Sequence, residues 1–197
     1  TRILEAGGIR GNPVPAGRTE ELDAAIRSAE RLSSVLIETP ANPTMDVVDL
    51  KAVCSSTRAR GIVTVVDNAF ASPALQRPME FGADVVAYSA TKMMDGQGRV
   101  LAGAVCGTEA FINDTLLPFH RNTGPTLSPF NGWVVLKGLE TLDLRIRRQS
   151  DNALQVARFL EGRVAKVNFP GLPSHPQHNL AMSQMAAAGP IFSFEVD

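Results

Sequence analysis

Short runs of β-branched and aliphatic residues alternate along the chain with segments whose apolar positions recur every three or four residues. Val35-Leu36-Ile37 closing on Glu38, Ile62 to Val66 closing on Asp67, Asp84 to Tyr88, and Leu101 to Cys106 interrupted by Gly103 predict four strands. Between them Thr19 reads as an N-cap, with Glu20 and Glu21 at the positive end of the helix dipole and Leu22, Ile26 and Ala29 on one face. A second helix is predicted from Val47 to Arg60. It turns Leu50, Val53, Cys54 and Thr57 inward and stops at Gly61, a residue suited to the left-handed conformation. The strands are apolar on both faces, as expected where helices cover a parallel sheet, so the fold class is α/β with a mainly parallel sheet.

Beyond Cys106 the rhythm changes. Thr123 to Pro129 is turn-rich, with Ser128 as N-cap and Pro129 at the first helical position. A long helix is predicted from Phe130 towards Leu160, carrying Trp133, Leu136, Leu139, Leu144 and Ile146, with Trp133 in core packing. A strand over Val164 to Phe169, a helix from Asn179 to Ala187 and a strand over Ile191 to Val196 follow. A domain boundary is expected near Arg147, dividing the chain into 1–147 and 148–197. The chain opens on Thr1 and stops inside a strand pattern, so it reads as a fragment of a longer protein, with the second domain truncated.

Composition narrows the function classes. The 197 residues are 44% hydrophobic and 20% charged, with a formal net charge of -1. That balance offers no electrostatic basis for binding nucleic acid or an anionic membrane. Apolar runs such as Val63 to Val66 are far too short to span a bilayer. Cys54 and Cys106 sit among apolar neighbours and read as two buried small hydrophobes, not a disulfide framework, which makes a reducing cytoplasm the default location.

In open α/β sheets ligands bind beyond the carboxyl ends of the strands. The sequence places Asn42 after the first strand, Asp67 after the second, and Ser89, Thr91 and Lys92 after the third. A carboxylate, an amine and small hydroxyls are the groups needed to hold pyridoxal phosphate. The carboxylate keeps the ring nitrogen protonated, the lysine forms the imine and the hydroxyls bond the phosphate. Taken singly, each residue also fits a plainer role: an aspartate capping a turn, a lysine in solvent, glycines such as Gly96 and Gly98 in loops. His175 and His178 lack the cysteine or carboxylate companions of a metal site, so no metal is expected.

The stretch from Glu38 to Gly107 resembles the Cys/Met-metabolism family of pyridoxal-phosphate enzymes. The matching segments are Glu38-Thr39-Pro40-Ala41-Asn42-Pro43-Thr44, Val66-Asp67-Asn68, Gln76-Arg77-Pro78, Gly82-Ala83-Asp84-Val85-Val86, and Ser89-Ala90-Thr91-Lys92 running on to Gly96. Weaker similarity covers Leu136-Lys137-Gly138-Leu139-Glu140-Thr141-Leu142 and Ser174-His175-Pro176-Gln177-His178. The resemblance implies a fold-type I large domain followed by a smaller C-terminal α/β domain. It implies that Lys92 binds the cofactor as a Schiff base and moves protons at the substrate's α and β carbons. By the same resemblance Asp67 pairs with the pyridine nitrogen, Ser89 and Thr91 bind the phosphate, and Asn42 lies near the phenolic oxygen and the substrate.

Asp95-Gly96-Gln97-Gly98-Arg99 is similar to the O-succinylhomoserine sulfhydrylase group, which replaces succinate with sulfide to give homocysteine, whereas Met93 departs from the histidine or tyrosine often found after the lysine. A carbon–sulfur γ-lyase or a cystathionine γ-synthase of the same fold stands as the alternative. An inactive fragment serving as a binding or oligomerisation module stands as the alternative from another class. The family's upstream phosphate-binding turn and its downstream carboxylate-binding arginine have no counterpart within these residues. The 197-residue segment alone is therefore expected to be inactive, and the full-length protein to be a homotetramer acting on an amino-acid substrate and sulfide.

Overall fold

The computed structural model describes residues 2–15 and 17–196; Thr1, Ala16 and Asp197 lie outside them. After α1 (Arg2–Ala6) and α2 (Thr19–Ser28), the chain alternates β1 (Ser34–Glu38), α3 (Leu50–Arg58), β2 (Val63–Asp67), α4 (Ser72–Leu75), a 3-10 turn over Pro78–Phe81, β3 (Val85–Ser89) and β4 (Gly103–Gly107). The sheet order is β1-β2-β3-β4. β1, β2 and β3 run parallel, and β4 returns antiparallel to β3. The reversal follows from the connection: a turn, without a crossover helix, joins β3 to β4, and a parallel neighbour needs such a crossover. Gly103, expected to interrupt this strand, starts it instead.

Two helix starts differ from expectation for one reason. Arg18, not Thr19, is the residue preceding α2, and the Thr19 hydroxyl accepts the Asp49 amide (3.2 Å). Val47 and Val48 stay outside α3 because their amides are taken by the side chains of Gln177 (2.8 Å) and Thr39 (3.1 Å). Asp49 then caps α3 by accepting the Ala52 amide (2.9 Å). Tertiary partners for two backbone N–H groups outweigh the local helical rhythm.

One sheet face carries Val35, Ile37, Val66, Val86 and Tyr88, packed against Ile26, Val53 and Cys54 of α2 and α3. The opposite face is far more open: Leu36 at the middle of β1 is 74% exposed. The two-sided cover read from the strands is thus realised on one side among the described residues. Cys106, expected to be buried, is exposed because it lies on the outermost strand, opposite Val86. Cys54 is buried as expected.

The second half contains a wide π-type turn over Phe111–Leu116, α5 (Leu117–Thr123), α6 (Pro129–Leu139), α7 (Leu142–Leu160), β5 (Lys166–Asn168), α8 (His178–Gln184) and β6 (Ser193–Glu195). Ser128 caps α6 through the Asn131 amide (3.2 Å), with Pro129 in the first turn, as predicted. The single long helix is in fact two, broken where Thr141 leaves helical geometry (φ -115°, ψ 6°). α6 turns Val134 and Gly138 inward, because a glycine alone permits its close approach to the carbonyl of Met94. That orientation sends Trp133, Leu136 and Leu139 outward, so Trp133 is not a core residue: it is 54% exposed and lies beside Phe130. Leu144 is exposed too, while Ile146 is fully buried with Ala181 and Met185 of the α8 region. α7 passes position 147 unbroken and then packs Ala153 and Ala157 against Phe169 and Leu172, beside the small β5-β6 sheet.

Candidate active site

Asp67 is the last residue of β2 and pairs with Ala87 of β3. Its Oδ1 accepts the amide of Ala69 (3.0 Å), which opens the turn that carries Phe70. Lys92 follows β3 in a tight turn: its N–H donates to Ser89 (3.0 Å), and its carbonyl accepts from Gly96 (2.8 Å). The turn throws the lysine side chain sideways to the end of β2, where Nζ lies 5.5 Å from the centroid of the Phe70 ring. That distance is within cation–π range. The amine therefore sits against the residue three places past Asp67, and Asp67 and the turn that carries Lys92 both lie at the carboxyl edge of neighbouring parallel strands.

The remaining candidates are distributed around this pair. Ser89 ends β3 on the same face as Ala87, the partner of Asp67, and is half-buried. Thr91 is half-buried, and its hydroxyl accepts the Ala102 amide (2.9 Å) and donates weakly to the Ala102 carbonyl (3.3 Å). To donate to a phosphate, that hydroxyl need only exchange the longer of the two bonds. Asn42 is exposed in the turn after β1, on the far side of β2 from Lys92. The fold thus brings Asp67, Ser89 and Lys92 to one edge, with Asn42 flanking them. A cavity of about 410 Å³ between Asp46, Glu161, Lys166 and His175 includes none of these five residues.

Beneath the strand ends lies a buried amide chain that the sequence reading did not single out. Asn68, next to Asp67, donates to the carbonyls of Ser72 (3.2 Å) and Gln76 (2.8 Å). Gln76, only 1% exposed, donates to the Thr39 carbonyl (3.0 Å) and to Asn68 Oδ1 (2.8 Å). Gln184 of α8 donates to Gln76 Oε1 (3.2 Å) and the Val48 carbonyl (3.0 Å). An unpaired amide at this depth would be costly, so the chain fixes the ends of β1 and β2 to each other. The segments Val66-Asp67-Asn68 and Gln76-Arg77-Pro78 carried the signal, but a lone glutamine in sequence does not announce burial.

The loop after Lys92 is held electrostatically. Asp95 is fully buried; burial opposes its charge, but the amide and guanidinium of Arg99 (2.7 and 2.8 Å) hold its carboxyl below the ordinary aspartate value. His175, buried just ahead of α8, is pushed below the ordinary imidazole value, chiefly by desolvation. Its Nδ1 accepts the Gln177 amide, and His178 Nδ1 faces the Pro170 carbonyl.

The residues present fit pyridoxal phosphate. Among the described residues Lys92 enters no ion pair, and Asp67 keeps a carboxylate oxygen free of the turn bond it makes through Oδ1. An amine and a carboxylate are thus available at one open strand edge, with small hydroxyls beside them.

A family model described as Cys/Met metabolism PLP-dependent enzyme matches residues 1–197. The chain is 46% identical over 166 residues to an O-succinylhomoserine sulfhydrylase of Mycobacterium tuberculosis, covering 83% of this chain and 41% of that protein. It is 42% identical over 200 residues to an L-methionine gamma-lyase of Porphyromonas gingivalis, covering 100% of this chain and 50% of that protein. Among solved structures, a cystathionine gamma synthase from Xanthomonas oryzae pv. oryzae, in complex with aminoacrylate and cysteine, superposes with a TM-score of 0.93 at 38% identity, covering 100% of this chain and 51% of the other. The chain spans about half the length of these relatives.

Proposed function

The chain belongs to the Cys/Met-metabolism family of pyridoxal-phosphate-dependent enzymes, and from that premise we propose that the protein replaces the acyloxy group of an O-acylhomoserine with sulfide. With O-succinylhomoserine the products are homocysteine and succinate. The γ carbon–oxygen bond breaks, a carbon–sulfur bond forms in its place, and no electrons are gained or lost. The observation that carries the site is the reach of Lys92 from β3 to the Phe70 turn beside Asp67.

Bound pyridoxal phosphate supplies an electron-withdrawing ring that makes the substrate's α proton acidic. Lys92 is the residue that holds the cofactor and then, as an amine, carries protons at the α and β carbons. Asp67 keeps the ring nitrogen protonated, and its fixed Oδ1 bond to the Ala69 amide sets the carboxylate's orientation beforehand. Ser89 and Thr91 bind the phosphate through their hydroxyls, and Asn42 borders the substrate side.

The choice of replacement over elimination rests on Asp95-Gly96-Gln97-Gly98-Arg99 and on similarity to a sulfhydrylase. Incubating the native-length protein with O-succinylhomoserine, with and without sulfide, tests it. Sulfide-dependent homocysteine with stoichiometric succinate is the expected result. Ammonia and a keto acid in comparable yield whether or not sulfide is present would move the protein to the second reading, a carbon–sulfur lyase, which the full-chain likeness to a methionine gamma-lyase favours.

A further inference from the structure

The segment Leu136 to Leu142 shares the family resemblance, yet none of its residues enters the site described above. Its place in the fold suggests what it does. Three residues past it, at the start of α7, Arg145 reaches back across the α6–α7 break into the loop that carries Lys92. Nη1 donates to the carbonyl of Met93 (3.1 Å), and Nη2 donates to the carbonyls of Met94 (3.1 Å) and Gly138 (2.7 Å). Nε donates to the Thr141 hydroxyl (3.0 Å). Met93 and Met94 directly follow Lys92. Their carbonyls sit at the negative end of the short turn in which Lys92 accepts from Gly96 and Ala90 accepts from Asp95.

Two glycines record how tightly the parts meet. A methyl at Gly96, which has φ +70°, would overlap the Arg145 guanidinium, and a methyl at Gly138 would overlap the Met94 carbonyl. Neither the guanidinium nor the Met94 carbonyl could keep its present place against a larger neighbour.

We propose that Arg145 is a positioning residue for Lys92: its guanidinium ties the lysine turn to the α6–α7 joint and so fixes where the Lys92 amine sits at the strand edge. This rests on the reading of Lys92 as the cofactor-holding residue. The planar fork satisfies three carbonyls at once, which a lysine at 145 could not do. The role also explains why the chain breaks between α6 and α7: the joint must offer the Gly138 carbonyl and the Thr141 hydroxyl to the same guanidinium.

The test uses the native-length protein with Arg145→Met, Arg145→Lys and, as a control, Arg147→Met, whose side chain makes only a surface ion pair with Asp143. Three quantities are read: cofactor affinity from the absorbance of the bound cofactor, the pH midpoint of that absorbance, and the melting temperature without cofactor. Arg145→Met is expected to bind cofactor about tenfold more weakly, the size of one lost hydrogen bond to a charged group. Its pH midpoint should shift, with Arg145→Lys intermediate and Arg147→Met unchanged. A folded Arg145→Met protein with the parent's affinity and midpoint overturns the proposal. If that variant does not fold, Arg145→Lys decides: a shifted midpoint supports the role and the parent's midpoint refutes it. Should the unsubstituted protein fail to hold cofactor at Lys92, the fault lies with the functional reading and not with the tether.

Discussion

The places of Asp67 and Lys92 along the sheet's carboxyl edge were legible from sequence, because Asp67 closes the β-branched run from Ile62 and Lys92 lies three residues past the strand that Val85 and Val86 begin, and a strand's end is where the backbone hands a side chain to the ligand edge. Phe70 and Gln76 were not, since their roles depend on contacts with residues distant in sequence. Replacing Gln76 with leucine should leave Asn68, Gln184 and the Thr39 carbonyl short of partners, destabilising the fold by about 2–3 kcal/mol in urea unfolding. A change below half a kilocalorie would show the amide chain to be dispensable. The two cysteines give a contrast of the same kind. Burial pushes the Cys54 thiol up to about 11, while Cys106 is exposed. At about pH 8 a thiol reagent should modify Cys106 and spare Cys54 in the folded protein, as read by peptide mass; equal labelling would contradict the packing of α3. His175 makes stability depend on pH. Its folded-state value is lowered from 6.5 by burial, so the unfolded chain binds more protons once the pH drops below 6.5. Its stabilising share is complete above that value and is lost as pH falls towards the folded value. Replacing His175 with phenylalanine should flatten the stability–pH curve in that acidic window, and an unaltered slope would remove His175 as its cause.

Elements were read well where local signals agreed and badly where tertiary partners overruled them. The cap at Ser128 and the left-handed stop at Gly61 came through because both act within one turn. Thr19 and the first turn predicted for α3 did not, since Thr19, Thr39 and Gln177 spend their oxygens on extended backbone. The α6–α7 break was hidden for a similar reason: nothing local in Gly138-Leu139-Glu140-Thr141 forbids helix. At that joint Gly138 packs on the Met94 carbonyl and its own carbonyl accepts from Arg145. Gly138→Ala separates these effects. Alanine is the better helix former by about 1 kcal/mol, yet its methyl would collide with the Met94 carbonyl. The expected result is a net loss of about 1–3 kcal/mol in denaturant unfolding; a gain would mean that the close approach is not obligatory.

At the scale of the molecule, the α/β class and the mainly parallel sheet were readable from alternation alone, and the fold is that of the fold-type I pyridoxal-phosphate enzymes. Which apolar residues face outward was not readable, because periodicity shows that a strand or helix has an apolar face without showing what covers it. Leu36 on the open sheet face and Phe130 and Trp133 on α6 are the result. Apolar exposure of this kind binds hydrophobic dyes and promotes association. The 197-residue chain is accordingly expected to enhance the fluorescence of such a dye. A dye-silent chain would show that these apolar faces are not open. No helix among the described residues is long and apolar enough to cross a membrane.

One nitrogen atom decides how the cofactor is held. Treating the native-length protein with borohydride in the presence of pyridoxal phosphate, then mapping the reduced adduct by peptide mass spectrometry, locates the amine that holds the cofactor. A single pyridoxyl modification is expected, on the peptide containing Lys92, abolished in Lys92→Ala and weakened in Asp67→Asn. An adduct on Lys51, Lys137 or Lys166 instead, or a pattern unchanged by loss of Lys92, would contradict it.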